Sequence, residues 1–296
     1  MTIRYIRVQM FACLAMIVIM KAFQPSSPSR IRFCFLAICS AAVLFVAGCV
    51  TNEPKVNPFK VPSETIRATV KTIAVFPVLA PFKDKKLESV QAEFEGMIDA
   101  TLRAGGFTVI ESSRVAPILA TNRQAVGGVF DPQTGKRDEA KFQTYWQHAL
   151  QDIHTNFNAD AILLCNIVHH TLDFRGRSAL ASSIHWDGAS DSLFSGGGTF
   201  ADFMLSGGQY SGRVGGLSLR VCLQDLQSHD LFVNYGGIQL TSRLTSGFGR
   251  SEFKAISPDE LLVDPLRNQN AVNFALDPLV KQPPFLTGQV GVAAPP

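Results

Sequence analysis

The chain has 296 residues, a formal net charge of +3, and 46% hydrophobic against 17% charged residues. Five basic residues (Arg4, Arg7, Lys21, Arg30 and Arg32) precede Cys49 with no acidic residue among them. Removing those five charges leaves the part from Cys49 onward, roughly 250 residues, near −2, which excludes the basic footprint of a nucleic-acid binder. That length suits one sizeable α/β domain with linkers, or two small ones.

Two apolar runs come first: "VQMFACLAMIVIM", Val8 to Met20, and "FCFLAICSAAVLFVAG", Phe33 to Gly48. The second has basic residues ahead of it, an apolar core and small residues at its end, the layout of a secretory signal. Each run is shorter than the roughly 20 apolar residues of a spanning helix. The competing reading is two membrane helices joined by "KAFQPSSPSR". Met20-Lys21 also reads as a natural start, which would leave residues 1–19 outside the protein. The residues Val46-Ala47-Gly48-Cys49 resemble the lipobox of bacterial lipoproteins. That resemblance implies a diacylglyceryl group on the Cys49 thiol, cleavage before Cys49, and acylation of the new N-terminus. Several acyl chains, at about 0.8 kcal/mol per buried CH₂, anchor far better than one. Val50, where an Asp would imply inner-membrane retention, makes the resemblance point to an outer-membrane lipoprotein facing the periplasm.

Prolines at 54, 58 and 62 make Thr51 to Glu64 an extended tether. "KTIAVFPVLAP" then reads as a buried strand closed by Pro77 and Pro81. Leu87, Val90, Phe94, Met97, Ile98, Thr101 and Leu102 recur at helical spacing, with Gly105-Gly106 as the C-cap. "FTVIES" predicts a second strand, and a second helix follows with Ser112 or Ser113 as N-cap. A loop, "VGGVFDPQTGKRD", leads to a long helix from about Asp138 to Phe157 with Phe142, Trp146, Ala149, Leu150 and Ile153 on one face. "ADAILLCNIVHH" is a third strand. This alternation predicts an α/β fold with a parallel first half.

The second half is polar and turn-rich, then glycine-rich over "FSGGGTFADFMLSGGQYSGRVGG". "LSLRVCLQDL" and "LFVNYGGIQL" predict an antiparallel hairpin with Leu217, Leu219, Val221 and Leu223 on one face. In "SPDELL", Ser257, Pro258 and Glu260 predict a capping box, and "AVNFALDPLV" a final helix. The organisation is therefore a signal over 1–48, a lipidated Cys and tether over 49–64, and one α/β domain over 65–281. That domain carries a glycine-rich insertion over 190–216, and a poorly ordered tail occupies 282–296.

The order "IAVFPV", "LRAGGFTVIESSRVAPILA", "NADAILLCNIV", "LSLRVCLQDLQSHDLFVNYGGIQL" is similar to envelope lipoproteins whose domain resembles the TolB N-terminal domain. The curli secretion channel and the lipoprotein activators of penicillin-binding proteins belong to that broad group. The resemblance covers about residues 70 to 280 and implies a three-layer-like mixed sheet and an envelope compartment, more than any activity.

Several motifs invite chemistry. "PQTGKR" lacks the first Gly of a phosphate loop and has Arg137 where Ser or Thr should stand. It reads as a turn started by Asp131-Pro132, with Gly135 supplying positive φ. His169, His170, Asp173, His185 and Asp187 could gather around a metal, but adjacent histidines on a strand point to opposite faces. No G-x-S-x-G is present. Cys165 and Cys222 lie in strand-like runs; they read as buried thiols, with a disulfide as the alternative. "HWDG" offers two readings: Trp186 packed under a sheet edge beside an Asp187-Gly188 turn, or a partner-binding aromatic. The candidate partner contacts are thus Trp186, Asp187, Phe200, Phe203 and Tyr210, with no cofactor. The expected partners are the membrane, through the acyl chains, and another envelope protein, with a homo-oligomer left open. The functional expectation is a non-catalytic binding and assembly module. The alternative is a secretion-channel subunit with residues 190–216 as membrane-crossing hairpins.

Overall fold

The computed structural model describes residues 56–80, 87–176, 183–193, 210–247 and 250–281. Cys49, Phe200, Phe203, the signal and the tail lie outside them. The run "TIAV" forms strand β1 (Thr72–Val75), whose Ile73, Ala74 and Val75 are fully buried. A strand covered on both faces has no polar side to show, so it reads as a plain apolar run. It lies between two parallel neighbours, β2 (Thr108–Ile110) and β3 (Ala161–Gly176). Strand β6 (Tyr210–Asp225) pairs antiparallel with β3, and β7 (Asp230–Leu240) antiparallel with β6. The sheet order is β2-β1-β3-β6-β7, mixed as expected from the sequence.

Helices cover both faces. Val90, Phe94, Ile98 and Leu102 form the buried stripe of α2 (Leu87–Ala104). They pack with Ile66 of α1 (Ser63–Thr69) and with α5 (Pro265–Val280) against Ile73, Val75, Leu163, Cys165, Leu219 and Val221. On the other face, α3 (Ser112–Ala125) and α4 (Glu139–Phe157) bury Val115, Leu119, Ala149 and Ile153 against Ala74, Ile110 and Ile162. Asp138 caps α4 by accepting the Lys141 N–H, and Asn158, at φ 50°, ends it. The Asp131 turn forms as read: its carboxylate accepts the Gln133 and Thr134 N–H groups, and Gly135 has φ 65°. Those two backbone donors, Thr134 first, hold the Asp131 carboxyl below its ordinary range.

Four details differ from the sequence expectation. The predicted capping box at Ser257 is not used; Pro258–Glu260 is a single 3-10 turn without a side-chain cap. Leu262 takes φ 60°, which no helix can continue through, because Leu261 and Leu262 turn inward and the Leu262 N–H meets the Gln239 side-chain oxygen at 3.1 Å. The final helix starts instead at Asp264, whose carboxylate accepts the Leu266 and Arg267 N–H groups. In α3 neither serine is the cap; Glu111 occupies that position, and the Ser112 hydroxyl donates to Glu95 of α2.

The tether is also shorter than proline spacing suggested. The folded body begins at Asn57. Phe59 bridges to Phe232 with ring centroids 5.1 Å apart, the Val233 N–H donates to Pro58 O, and the Lys60 N–H to Leu231 O. Prolines here fit an edge segment that needs few of its own donors. Finally, the glycine-rich insertion is mostly framework where it is described. Ala189–Ser192 forms strand β5 and Tyr210–Gly216 is the first half of β6. A Cβ on Gly212 would sit 2.8 Å from the Phe174 ring, so glycine serves close packing there rather than freedom.

Two outcomes follow for the N-terminal edge. Phe59→Ala is expected to cost about 1–2 kcal/mol, the half-buried fraction of a core Phe deletion. A chain truncated to Asn57 should melt as cooperatively as the longer protein, while truncation to Ser63 should lower the melting temperature by several degrees. Equal melting of the two truncations would show that residues 57–62 add nothing.

Candidate functional site

β1 pairs with only Ala161–Leu163 of β3, and Leu79 adds one bridge at Asn166. Beyond that, among the described residues, β3 is flanked by β6 alone; β7 stays beside β6 as far as Gly216, and from Thr171 to Gly176 β3 and β6 continue as a two-stranded ribbon ending at Tyr210. One ribbon face is polar and exposed, with His169, Thr171 and an Asp173–Arg213 pair at 3.3 Å. The other carries Leu172, Phe174 and Val214 into a separate small core with Ile184, Trp186, Leu193, Leu240 and Leu244. These last residues come from β4 (Ser183–Trp186), the residue just after β5, β7 and β8 (Ser242–Gly247); β8 pairs with β9 (Arg250–Ala255).

The "HWDG" motif makes the β4–β5 hairpin. Trp186 pairs with Ala189 across a two-residue loop in which Asp187 (φ 43°) and Gly188 (φ 77°) are both left-handed. That is the mirror-image turn for which Asp-Gly is the sequence signature. Trp186 is 6% exposed, so it packs under the sheet and is not a surface contact. Its indole N–H donates to Ser218 Oγ at 3.1 Å, and the Ser218 hydroxyl donates to Asp187 Oδ2 at 2.8 Å. Asp187 is half-buried, and its backbone oxygen accepts the Gly237 N–H. Tyr210 lies at the β6 end of the ribbon, opposite Gly176.

His170 faces this group. Its Nε2 is 3.9 Å from Asp187 Oδ2 and has no hydrogen-bond partner among the described residues. The ring meets Tyr235 edge-on at 5.5 Å. Serine, histidine and aspartate are thus together, but not wired as a nucleophile relay: the Ser218 proton goes to Asp187, and Ser218 is wholly buried. The neighbouring His169 lies on the ribbon's other face, and His185 is exposed. Among the described residues no three His, Cys, Asp or Glu side chains gather as a metal would need.

A second constellation was not read from the sequence. Asp191 of β5 has a side chain only 4% exposed. It accepts the Leu240 N–H, and is paired with Arg267 at 2.9 Å and Arg243 at 3.4 Å. The hairpin is thereby tied to β7, β8 and α5 at one point. Alternation could have found it, since Asp191 pairs with Ile184 and so shares the inward face with Trp186 and Ala189.

A third group lies across the sheet. Glu95 of α2 accepts from the Val78 N–H and from Ser112, while the nearby Asp99 has a buried oxygen with no hydrogen-bond partner among the described residues. Burial first, then the Glu111 and Glu95 charges, pushes the Asp99 carboxyl up to about 6, against the pull of Arg103. The two cysteines are buried and free. Cys165 pairs with Val221 and Cys222 with Leu164, so adjacent thiols point to opposite sheet faces and cannot bridge. Burial raises the Cys165 thiol, and burial with the Asp230 hydrogen bond pushes Cys222 up to about 12. Both are neutral thiols at physiological pH, not nucleophiles.

No family model and no curated protein matches the chain. Among solved structures, lipoprotein GNA1162 from Neisseria meningitidis is similar at 16% identity and a TM-score of 0.28, over 65% of this chain and 90% of that one. A dodecamer of a PelC variant from Paraburkholderia phytofirmans is similar at 10% identity and a TM-score of 0.28, over 72% and 91%. Superposition at that level carries no argument about this chain.

Asp191→Asn should cost about 2–4 kcal/mol in urea unfolding, because it leaves the half-buried Arg243 guanidinium without its carboxylate and Arg267 with Asp264 alone. A loss below about 0.5 kcal/mol would mean the ion cluster is not a joint. Asp99 behaves oppositely. Its folded pKa lies above the unfolded value, so its contribution is fully present below about pH 4 and is lost as pH rises through 6. Asp99→Asn should therefore stabilise the protein by about 1 kcal/mol at pH 7.5, after discounting for partial exposure, and by little at pH 4. Equal effects at the two pH values would contradict the assignment.

Proposed function

We propose that the protein is a lipid-anchored lipoprotein of the bacterial envelope, acting as a non-catalytic binding and assembly module that faces the periplasm. The observation that carries this reading is Val46-Ala47-Gly48-Cys49 at the end of a signal-like apolar run. Seven residues separate Cys49 from Asn57, where the folded body begins, and so short a tether suits a domain working close to a membrane surface. The polar groups around the hairpin are engaged in holding it. Ser218, Asp187 and Asp191 spend their hydrogen bonds on seating β4–β5, and both described cysteines are buried. Phe200, Phe203 and Tyr210 are the proposed contacts for another envelope protein, Asp187 being engaged within the hairpin. A channel subunit is less well supported, because Ala189–Ser192 and Tyr210–Gly216 already pair within the domain and the apolar ribbon face packs inward.

The experiment is Cys49→Ser in the full chain. The parent should fractionate with membranes and give an intact mass lacking residues 1–48 but carrying acyl chains. The variant should keep its signal and lose the acyl mass. A peptide spanning Gly48 to Val50 in mature parental protein would sink this assignment.

A further inference from the structure

We propose that the central sheet binds an organic acid, a carboxylate carrying a short apolar body, with Arg220 as the partner of the anion. The proposal concerns the folded domain and does not rest on a lipid anchor. One sheet face is covered in two places. Helices α3 and α4 cover it at Ile162 and Leu164, and the β4–β5 hairpin covers it at Gly216, Ser218 and Gly237. Between them runs one register row four chains wide: Leu79 beside Asn166, Asn166 opposite Arg220, and Arg220 opposite Tyr235. Directly paired residues share a face, so these four side chains stand in line. Leu79 is 62% exposed and the other three are half-buried, which makes the row a trough. It lies just past the carboxyl end of β1. There the chain leaves for α2 on one face, the chain returning to β3 comes through α3 and α4 on the other, and β3 runs on past the end of β1. Open α/β sheets take their ligands where crossovers part in this way.

The side chains select the ligand. Every other arginine whose side chain is described lies against a carboxylate, a carbonyl or an aromatic ring. Arg220 has none of these among the described residues. Asp230, held below its ordinary range by the Gln224 hydrogen bond first and by the Arg220 charge in part, spends its carboxylate on Gln224 and Cys222 and forms no ion pair with Arg220. Asn166 and Tyr235 make no side-chain hydrogen bond among the described residues, and none of the three has a polar atom closed off from solvent. A guanidinium offers a carboxylate two parallel donors, and here an amide and a phenol stand on either side as further donors. The His170 ring, edge-on at 5.5 Å, steadies the phenol. Strands lie about 4.8 Å apart, so Leu79 stands about 10 Å from Arg220 along the row. An acid held at Arg220 and directed across Asn166 lays its body on Leu79. On the hairpin side Asp187 presents a carboxylate, which disfavours a second anionic group there. The ligand is a monoanion.

The test is calorimetric titration of the full chain, in mild detergent, with phenylpropionate, its uncharged amide and acetate. Phenylpropionate should bind with a millimolar or lower Kd. The amide lacks the charge and acetate lacks the body, so each should bind about tenfold more weakly or worse. Arg220→Gln should weaken phenylpropionate by about tenfold or more while melting at the parental temperature. Arg220→Lys should weaken it less, because a point charge remains without the fork. Leu79→Ser should weaken phenylpropionate and leave acetate unchanged. Should Arg220→Gln fail to fold, the parent decides the matter. Phenylglyoxal should modify Arg220 ahead of the paired arginines, and phenylpropionate, but not its amide, should protect it. No binding of phenylpropionate at millimolar concentration, equal binding of acid and amide, an Arg220→Gln variant that binds like the parent, or modification of Arg220 unaffected by the acid would each overturn the proposal.

Discussion

Sixteen consecutive residue pairs join β3 to β6, from Ala161 with Asp225 to Gly176 with Tyr210, with no break in register. Everything else in the fold is built on that ladder. Side chains alternate along a strand, so the odd-numbered residues Cys165, Ile167, Leu219 and Val221 meet α2 and α5. The even-numbered Ile162 meets α3 and α4, and Leu172, Phe174 and Val214 supply the small core under the hairpin. A slip of one residue would exchange those faces and empty all three cores together. The same alternation explains why two cysteines on neighbouring strands are placed apart.

The β4–β5 hairpin is held differently from the helices. Its apolar contribution is small, chiefly Ile184 and Trp186. Direction comes from polar groups: the Trp186–Ser218–Asp187 chain at one end and the Asp191 ion cluster at the other. A buried carboxylate is a poor source of net stability, because desolvation offsets most of its attraction to arginine. It does make misplacement expensive, since any other seat would leave Asp191 or Arg243 unpaired in a half-dry site. The hairpin is thus fixed in orientation more than it is fixed in strength.

The periodic parts of the fold were legible in the sequence. Of the predicted α4 face, Ala149, Leu150 and Ile153 are buried, and Phe142 and Trp146 pack half-buried on the same core, which also takes the unpredicted Tyr145. The predicted hairpin face of Leu217, Leu219, Val221 and Leu223 is wholly buried. What escaped depended on distant partners. Ser257 and Ser112 have the local chemistry of caps, yet Gln239 captures Leu262 and Glu95 captures Ser112 from other elements. Phe59 looked like part of a proline-rich tether until Phe232 supplied its contact. Of the candidate site, the Asp187-Gly188 turn was readable because two residues determine it. The Asp191 cluster joins β5, β8 and α5, and no local pattern brings those together.

The glycines show the same divide most sharply. In "NYGGIQL", Gly236 and Gly237 are neighbours on β7 and therefore face opposite sides of the sheet. A Cβ on Gly236 would run into the backbone carbonyl of Ala271 in α5. A Cβ on Gly237 would lie 2.6 Å from Ala189 Cβ and from Trp186 O in the hairpin. The pair lets both layers come down onto the sheet at one point. Adjacent hydrogen bonds pin each side: Asn234 donates to Ala275 O at 2.9 Å, and the Gly237 N–H to Asp187 O at 2.8 Å. Composition gives such a glycine pair the same appearance as one in a loose linker. Only the bodies packed above and below distinguish them, so at this position the helix and the hairpin, not the strand, determine the residue.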